Sequence, residues 1–320
     1  MPRGGRSGRA AVVRYDKSTA EQGSKYVRDR RRSTGGARRT PGRGGMVAGG
    51  GIGAIIIAIL VALFSGGDGG GGTSFGLDAT QTTLTGQVDN AGASASIDPD
   101  ADTIEYMEFL MIDIQDTWDA YFDQAGLTYQ PTLLNVFSDS IQTGCGNATA
   151  QVGPFYCPAP NDMQVYIDLG FFDELSSKFG APGDFAQAYV IAHEVGHHLQ
   201  SVLGISDAVR DAQSRDRGNA NQYSILQELQ ADCFAGVWAY SANNRLTRET
   251  GQPIIEAGDI EEGLEAAASV GDDRIQAQSG MSVNPHTWTH GSSQQRIRWF
   301  REGFESGDPE SCDTFSSPNP

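Results

Sequence analysis

The sequence predicts a mostly helical α+β domain with a small β-sheet, preceded by one transmembrane helix. Three observations lead to this prediction. Apolar residues recur at helical spacing in several long segments, residues 163–169 alternate apolar and polar residues as a strand does, and residues 46–64 contain no charge. The chain has 320 residues and a net charge of −17. Residues 100–316 are long enough to form one domain with a substantial core.

The N-terminal third of the chain divides into three segments of different composition. Residues 1–45 contain 13 basic and 3 acidic residues and few apolar ones, which predicts a disordered basic tail. As a helix, residues 46–64 would span about 28 Å, close to the hydrocarbon thickness of a bilayer. Residues 65–99 are rich in Gly, Ser, Thr and Asp, and predict a flexible linker.

This distribution of charge predicts a single-pass membrane protein held in the lipid bilayer by residues 46–64. Positively charged flanks stay in the cytoplasm, so we expect residues 1–45 inside and the domain on the extracytoplasmic side. A cleaved signal peptide is the alternative for the apolar run. Nucleic-acid binding by the Arg-rich tail is a weaker alternative, because a solvated topology signal explains the same residues.

Periodicity and turn residues predict the elements of the domain. Residues 132–137 and 163–169 are predicted to be strands, the latter because apolar and polar residues alternate along it. Amphipathic patterns predict helices at 103–124, 171–179, 224–241 and 293–304, and a further helix that begins at 182–184 and ends at Gly204.

The most informative motif is His193-Glu194-Val195-Gly196-His197. Positions i and i+4 of a helix share a face, so both imidazoles can reach one metal ion while Glu194 lies near a metal-bound water. The H-E-x-x-H spacing is typical of zinc hydrolases. Catalytic zinc usually has three protein ligands, so one more is needed from elsewhere. A purely structural zinc site is the alternative, but such a site needs no base like Glu194.

Glu228 and Asp232 are the candidates for the remaining roles at the metal. They lie four residues apart, so the helix predicted at 224–241 presents both carboxylates on one side. We expect Glu228 to bind the metal and Asp232 to accept the free ring N–H of a ligand histidine. Small residues of this helix, among them Ala231 and Gly236, should allow close packing against the motif helix. A solvated helix face is the alternative for both carboxylates.

The last two histidines lie near the C-terminus. We expect His290 to stabilise an oxyanion as a hydrogen-bond donor and Arg296 to orient nearby groups. The alternatives for His290 are a capping or core histidine at the start of the helix at 293–304 and a second metal site shared with His286. His198, directly after the motif, is most simply a residue of the helix surface.

Together these motifs resemble the putative neutral zinc metallopeptidase family of bacteria. The resemblance is carried by residues 185–198, 228–233 and 289–291, and extends from about residue 102 to residue 315. More distantly, the chain resembles the membrane metallopeptidases of the HtpX and CAAX-prenyl protease type. Their motifs follow the same order and end in a T-H-P segment followed by an arginine; Gly291 replaces that proline here.

The resemblance implies a zincin-like domain that hydrolyses peptide bonds of extracytoplasmic proteins or peptides with Zn²⁺ as its cofactor. The implied residues are the zinc ligands His193, His197 and Glu228, the general base Glu194 and the supporting Asp232. His290 and Arg296 fall at the spacing of the histidine and arginine in the third segment of those families. We further expect the strand at 163–169 to be a sheet edge that pairs with an extended peptide substrate. A zinc-stabilised binding or scaffold module without catalysis is the alternative function.

All four cysteines follow the apolar run, and their even number suits two disulfides in an oxidising compartment. Of the three possible connectivities we favour Cys145 with Cys157, across a Gly, Asn and Pro loop, and Cys233 with Cys312. Zinc ligation by Cys233 is a weaker alternative, because Cys233 lies off the helix face that carries the two carboxylates.

Overall fold

The computed structural model of the chain describes residues 25–31, 98–247, 251–256 and 258–317. The helices within these ranges are α1 (Ala101–Gln124), α2 (Gly170–Ser177), α3 (Asp184–Val202), α4 (Ile205–Arg215), α5 (Ala220–Asn243), α6 (Asp259–Ser269), α7 (Asp272–Gln278) and α8 (Ser293–Ser306). The strands are β1 (Val27–Asp29), β2 (Leu134–Phe137), β3 (Ser140–Thr143), β4 (Gly146–Thr149), β5 (Phe155–Cys157) and β6 (Gln164–Asp168). The predicted mostly helical α+β class with a small sheet is confirmed.

The helices predicted within residues 100–316 all form, with ends that differ by a few residues. The largest difference is at α5, which begins at Ala220, whereas the sequence pattern predicts a start at residue 224. Sequence periodicity gave no indication of α4, α6 or α7, which are short. None of the helices in the described ranges is both long and apolar enough to cross a bilayer. The predicted transmembrane helix at 46–64 lies outside those ranges, as does nearly all of the predicted linker.

Helix α5 is central to the helical layer, where small residues let α3 and α8 approach it closely. A Cβ atom added at Gly196 of α3 would lie 3.0 Å from the Cα atom of Ala231, so these two helices nearly touch. Gly236 faces a different neighbour, because a Cβ atom there would collide with the backbone of Phe300 in α8. The expectation that Gly236 packs against the motif helix is therefore wrong. A capping box of Ser292 and Gln295 begins α8.

A four-stranded sheet in the order β1-β2-β6-β5 lies beside the helices. Strands β1, β2 and β6 are parallel, and β5 pairs antiparallel with β6. Strand β6 is thus internal, and the expectation that residues 163–169 form a sheet edge is wrong. Alternation along a strand tells which side chains face the core and carries no information about neighbouring strands. The edge strand on this side of the sheet is β5.

The other edge of the sheet is β1, which comes from the predicted basic tail. Residues 27–29 pair with β2 from Leu134 to Val136. The Arg31 guanidinium lies 2.8 Å from a carboxylate oxygen of Asp29 and 2.8 Å from one of Asp98. The expectation of a disordered tail over residues 1–45 therefore fails for the residues around β1. Backbone pairing and these carboxylates hold a segment whose composition is typical of disorder.

Both favoured disulfides form. Cys145 is bonded to Cys157, next to the hairpin of β3 and β4, and Cys233 of α5 is bonded to Cys312. The second bond ties the C-terminal segment to the central helix. It also excludes Cys233 as a zinc ligand, because its sulfur is already bonded.

Candidate metal centre

Helices α3 and α5 bring the three expected ligands together. One helical turn separates His193 from His197, and the centroids of their rings are 4.8 Å apart. From α5, the carboxylate of Glu228 places Oε2 3.3 Å from Nε2 of His193 and Oε1 3.5 Å from Nε2 of His197. The donor atoms of all three residues lie within 4.8 Å of one another. The close approach of Gly196 to Ala231 is what allows this spacing.

The donor set fits a tetrahedral zinc ion. Zinc binds imidazole nitrogen and carboxylate oxygen at about 2.0–2.1 Å, so two ligands at tetrahedral corners are about 3.3 Å apart. The distances from Glu228 to the two histidines match that separation. Two neutral imidazoles and one carboxylate are also the donor chemistry of known catalytic zinc sites.

Asp232 holds His193 at the centre of a buried charged network. Its Oδ1 atom lies 2.9 Å from Nδ1 of His193, which leaves Nε2 directed at Glu228. Arg296 donates two hydrogen bonds of 2.8 Å to the same carboxylate, and the Tyr189 hydroxyl donates another of 2.5 Å. Asp232 is fully buried, so these bonds replace its hydration. The expected contacts of Asp232 and Arg296 are both present.

The charges of this network shift its pKa values in opposite directions. Burial raises the pKa of Asp232, but Arg296 and His193 outweigh it and hold that pKa below its ordinary value. Burial lowers the pKa of His193, but Asp232 and Glu228 raise it to about 9 in the metal-free protein. Burial also disfavours the Glu228 carboxylate, yet His197 and His193 keep its pKa well below the usual range. Glu228 is therefore ionised and ready to bind a cation.

His197 is held by a neutral partner. Its Nδ1 atom lies 2.9 Å from Oε1 of Gln200, one turn further along α3. The Gln200 amide donates to the carbonyl of Gln227 at 2.7 Å and to Oε1 of Gln230 at 3.1 Å. Gln230 in turn donates to the carbonyl of Cys312 at 3.0 Å. Hydrogen bonds thus connect this ligand to the disulfide-bonded C-terminal segment.

The expected base, Glu194, lines a cavity beside the ligands. Only 7 % of its surface is exposed, and this burial raises its pKa although His197 and His193 oppose the shift. His193, Glu228 and His290 line the same cavity. A carboxylate with a raised pKa next to two metal ligands is suited to receiving and returning a proton.

His290 lies at this cavity because of a residue that the sequence analysis missed. Asp272, at the start of α7, accepts backbone N–H bonds from Thr289, His290 and Gly291 at 2.7, 2.7 and 3.1 Å. Its other oxygen lies 3.1 Å from Nδ1 of His290. Burial disfavours the Asp272 carboxylate, but these bonds hold its pKa below the ordinary value. Since 18 residues separate Asp272 from His290, no motif spacing could have indicated the pair.

The same loop explains why glycine replaces proline after His290. Gly291 has a φ of +93°, whereas proline is restricted to about −65°. Its N–H group also donates to Asp272, and proline has no such donor. Exposed His286 does not join His290 in any metal-ligating group of the described residues, which argues against a shared second site.

His198 is a buried structural residue, so its expected place on the helix surface is wrong. Its Nε2 atom lies 2.6 Å from the carbonyl oxygen of Gln130, and its Nδ1 atom lies 3.3 Å from the Tyr156 hydroxyl of β5. Burial lowers the pKa of its imidazole. The ring therefore fastens the motif helix to the edge of the sheet.

Comparison with known proteins agrees with this geometry. The family described as putative neutral zinc metallopeptidase matches residues 17–315. The chain belongs to this family. The resemblance seen in the motifs is thereby confirmed, and the family together with the His193, His197 and Glu228 group identifies zinc as the cofactor.

Two relatives show how far the similarity extends. The uncharacterized protein YpfJ of Escherichia coli K12 is 47% identical over 244 residues, which cover 75% of this chain and 82% of YpfJ. The uncharacterized protein Rv2575 of Mycobacterium tuberculosis H37Rv is 44% identical over 221 residues, covering 68% of this chain and 73% of that protein. No solved structure matches the chain significantly.

Proposed function

We propose that this protein is a zinc metallopeptidase that hydrolyses peptide bonds of extracytoplasmic proteins or peptides. The observation that carries the proposal is the position of Glu194. It lies in the same cavity as two of the three ligands, where a structural zinc site would need no carboxylate of raised pKa. The buried support of His193 by Asp232 is also typical of a catalytic centre.

In this mechanism zinc, when bound, supplies the Lewis acidity that lowers the pKa of water towards about 7 and polarises the scissile carbonyl. Glu194 accepts the proton of the attacking water and then returns it to the leaving amine. His290 donates a hydrogen bond from Nε2 to the oxyanion of the tetrahedral intermediate. The Asp272 carboxylate, 3.1 Å from Nδ1, holds the ring in the orientation that this donation requires.

The substrate backbone is proposed to pair with β5, because β5 and not β6 is the edge strand on this side of the sheet. Gly153 and Pro154 line the cavity directly before β5 begins at Phe155. An extended peptide paired with this edge would lie next to the part of the cavity that Gly153 and Pro154 line, and main-chain pairing places no demand on the substrate's sequence.

A comparison of the full-length wild type with Glu194→Gln tests the proposal. The full chain is used because β1 belongs to the sheet. We expect one zinc per chain in both proteins and cleavage of a peptide mixture by the wild type alone, since the substitution removes the base and leaves the ligands. Zinc in both proteins without cleavage by either would favour the binding or scaffold module, and absence of zinc would contradict the proposal.

We also propose that the domain is extracytoplasmic and anchored by residues 46–64. The two disulfides support an oxidising location. A cytoplasmic tail in this arrangement requires β1 to leave the sheet, because residues 27–29 and the domain lie on one side of any membrane while they are paired.

Cysteine labelling tests this arrangement, since the native cysteines within the described residues are disulfide-bonded. A membrane-impermeant maleimide applied to spheroplasts should label Asp207→Cys, at an exposed position of α4, and leave Ser7→Cys unlabelled. Labelling of both variants would place the tail beside the domain, as pairing of β1 requires, and would contradict a single-pass topology.

A further inference from the structure

The cavity at the metal centre continues into an apolar wall. Beyond the ligands and the polar residues of the centre, its lining consists of hydrophobic residues and one glycine. The hydrophobic side chains that matter here are Val152, Phe171, Phe179, Val190, Val270 and Ile275. They come from the segment before β5, from α2 and the turn after it, from α3, and from the region of α7. Separate parts of the chain thus converge on one apolar surface.

This wall lies close to the reacting groups. Val190 precedes His193 by three residues on α3, so the two side chains share a helix face. Phe171 and Phe179 form another part of the wall, with ring centroids 6.4 Å apart. Phe171 and Ile275 are only partly buried, so their side chains keep accessible surface. An apolar side chain of a bound peptide could cover that surface.

We infer that this cavity is the specificity pocket of the enzyme and receives a large apolar side chain adjacent to the scissile bond. The substrates are then peptides cleaved beside residues such as Leu, Ile, Met or Phe. The inference rests on the proposed peptidase function. A charged side chain would lose its hydration in the cavity without gaining a partner from the wall, whereas an apolar one would gain from burial.

Burial of a large aliphatic or aromatic side chain is expected to favour cleavage over alanine at the same position by about 10- to 100-fold in kcat/KM. The first experiment measures cleavage of a peptide library randomised around a central bond by the full-length zinc-loaded protein. We expect large apolar residues to be enriched at one position bordering the cleaved bond, with Asp, Glu, Lys and Arg depleted there.

Two substitutions link that preference to the wall. Ile275→Ala removes apolar surface and should lower the Leu-to-Ala preference by about 5-fold. Val190→Phe fills the cavity and should shift the preference towards small residues. Ile260→Ala is the matched control for Ile275→Ala, because Ile260 is also partly buried but lies on α6 outside the cavity lining. The Ile260→Ala protein should show the same Leu-to-Ala preference as the wild type.

The outcomes separate the inference from the function on which it rests. Absence of Glu194-dependent cleavage by the wild type would refute the peptidase proposal itself. Cleavage with a flat profile, or with charged residues enriched beside the bond, would overturn the specificity pocket and leave the peptidase intact. A folded Ile275→Ala protein that keeps the full wild-type preference would likewise overturn it, and Val190→Phe provides an independent check if Ile275→Ala fails to fold.

Discussion

The two histidine ligands of the metal centre are supported in opposite ways. Asp232 holds His193 with a full negative charge that Arg296 balances, whereas Gln200 holds His197 with a neutral amide. We call these the charged side and the neutral side of the centre. The charged side connects α3, α5 and α8, so it joins the three helices that pack around the site.

The difference shows that the two histidines of one helical motif can be oriented by two kinds of hydrogen-bond partner, a carboxylate and an amide. A buried charge must remain paired, so loss of one member of the charged side leaves the others without compensation. The neutral side contains amides, for which the cost of a missing partner is smaller. Gln230 connects the neutral side by hydrogen bonds to Cys312 of the C-terminal disulfide. We therefore expect zinc affinity to depend most on the charged side.

The largest loss is expected for Asp232→Ala. Zinc affinity should fall by about 100-fold, because His193 loses the partner that fixes its ring. The free energy of unfolding should also decrease by about 3–5 kcal/mol, since Arg296 is left buried and unpaired. Competition with a chelator measures the affinity, and denaturant titration of the metal-free protein measures the stability.

A double variant, Asp232→Leu with Arg296→Met, separates these two effects. It removes both charges, so it should recover most of the lost stability while zinc affinity stays low. Recovery of both stability and zinc affinity would show that Asp232 does not orient His193. Zinc affinity would then not depend more on the charged side than on the neutral side.

A smaller loss is expected on the neutral side for Gln200→Ala. His197 loses one neutral acceptor, so zinc affinity should fall by about 10-fold. Gln200→Glu sharpens the comparison, because it keeps an acceptor for the ring N–H and makes both sides charged. It also loses the amide donor to Gln227 and Gln230, so the free energy of unfolding should decrease. We expect its zinc affinity to exceed that of Gln200→Ala in the same chelator assay. A loss for Gln200→Ala as large as that for Asp232→Ala would contradict the ranking.

The smallest effect on zinc should come from the disulfide behind the neutral side. The Cys233→Ser and Cys312→Ser double variant opens a bond spanning 79 residues, so the free energy of unfolding should decrease by about 2–4 kcal/mol. Zinc affinity should decrease only about 3-fold, since Gln230 contacts the Cys312 carbonyl and not the metal ligands.

The other disulfide provides the control for this effect. Cys145→Ser with Cys157→Ser opens a bond spanning 12 residues, and neither cysteine contacts the neutral side. This variant should lose stability and bind zinc like the wild type. Equal losses of zinc affinity in both disulfide variants would mean that the hydrogen bonds from Cys312 through Gln230 to Gln200 do not affect zinc binding.

Much of the metal centre could be predicted from the sequence because its contacts repeat with the period of a helix. His193 and His197 share a helix face, as do Glu228 and Asp232, and the order of the motifs indicates that the faces meet. Two residues that support the ligands and His290 were harder to predict from the sequence. Gln200 lies on the motif helix three residues after His197, but nothing in the sequence indicated that it contacts that ligand. Asp272 lies in a short helix with no periodic pattern of its own.

The amino-acid sequence by itself determined the five predicted helices of the domain, the His193, His197 and Glu228 group and the presence of Glu194 beside it, and it favoured the cysteine pairing that forms. The helices and the metal-binding group follow from local periodicity and donor chemistry, and the cysteine pairing was favoured among three by the short loop between Cys145 and Cys157. Only the tertiary structure decided the order of the strands, the place of β1 in the sheet and the bond between Asp272 and His290. Each depends on contacts between segments far apart in sequence, and the packing of the whole domain selects such contacts, while local pattern leaves them open.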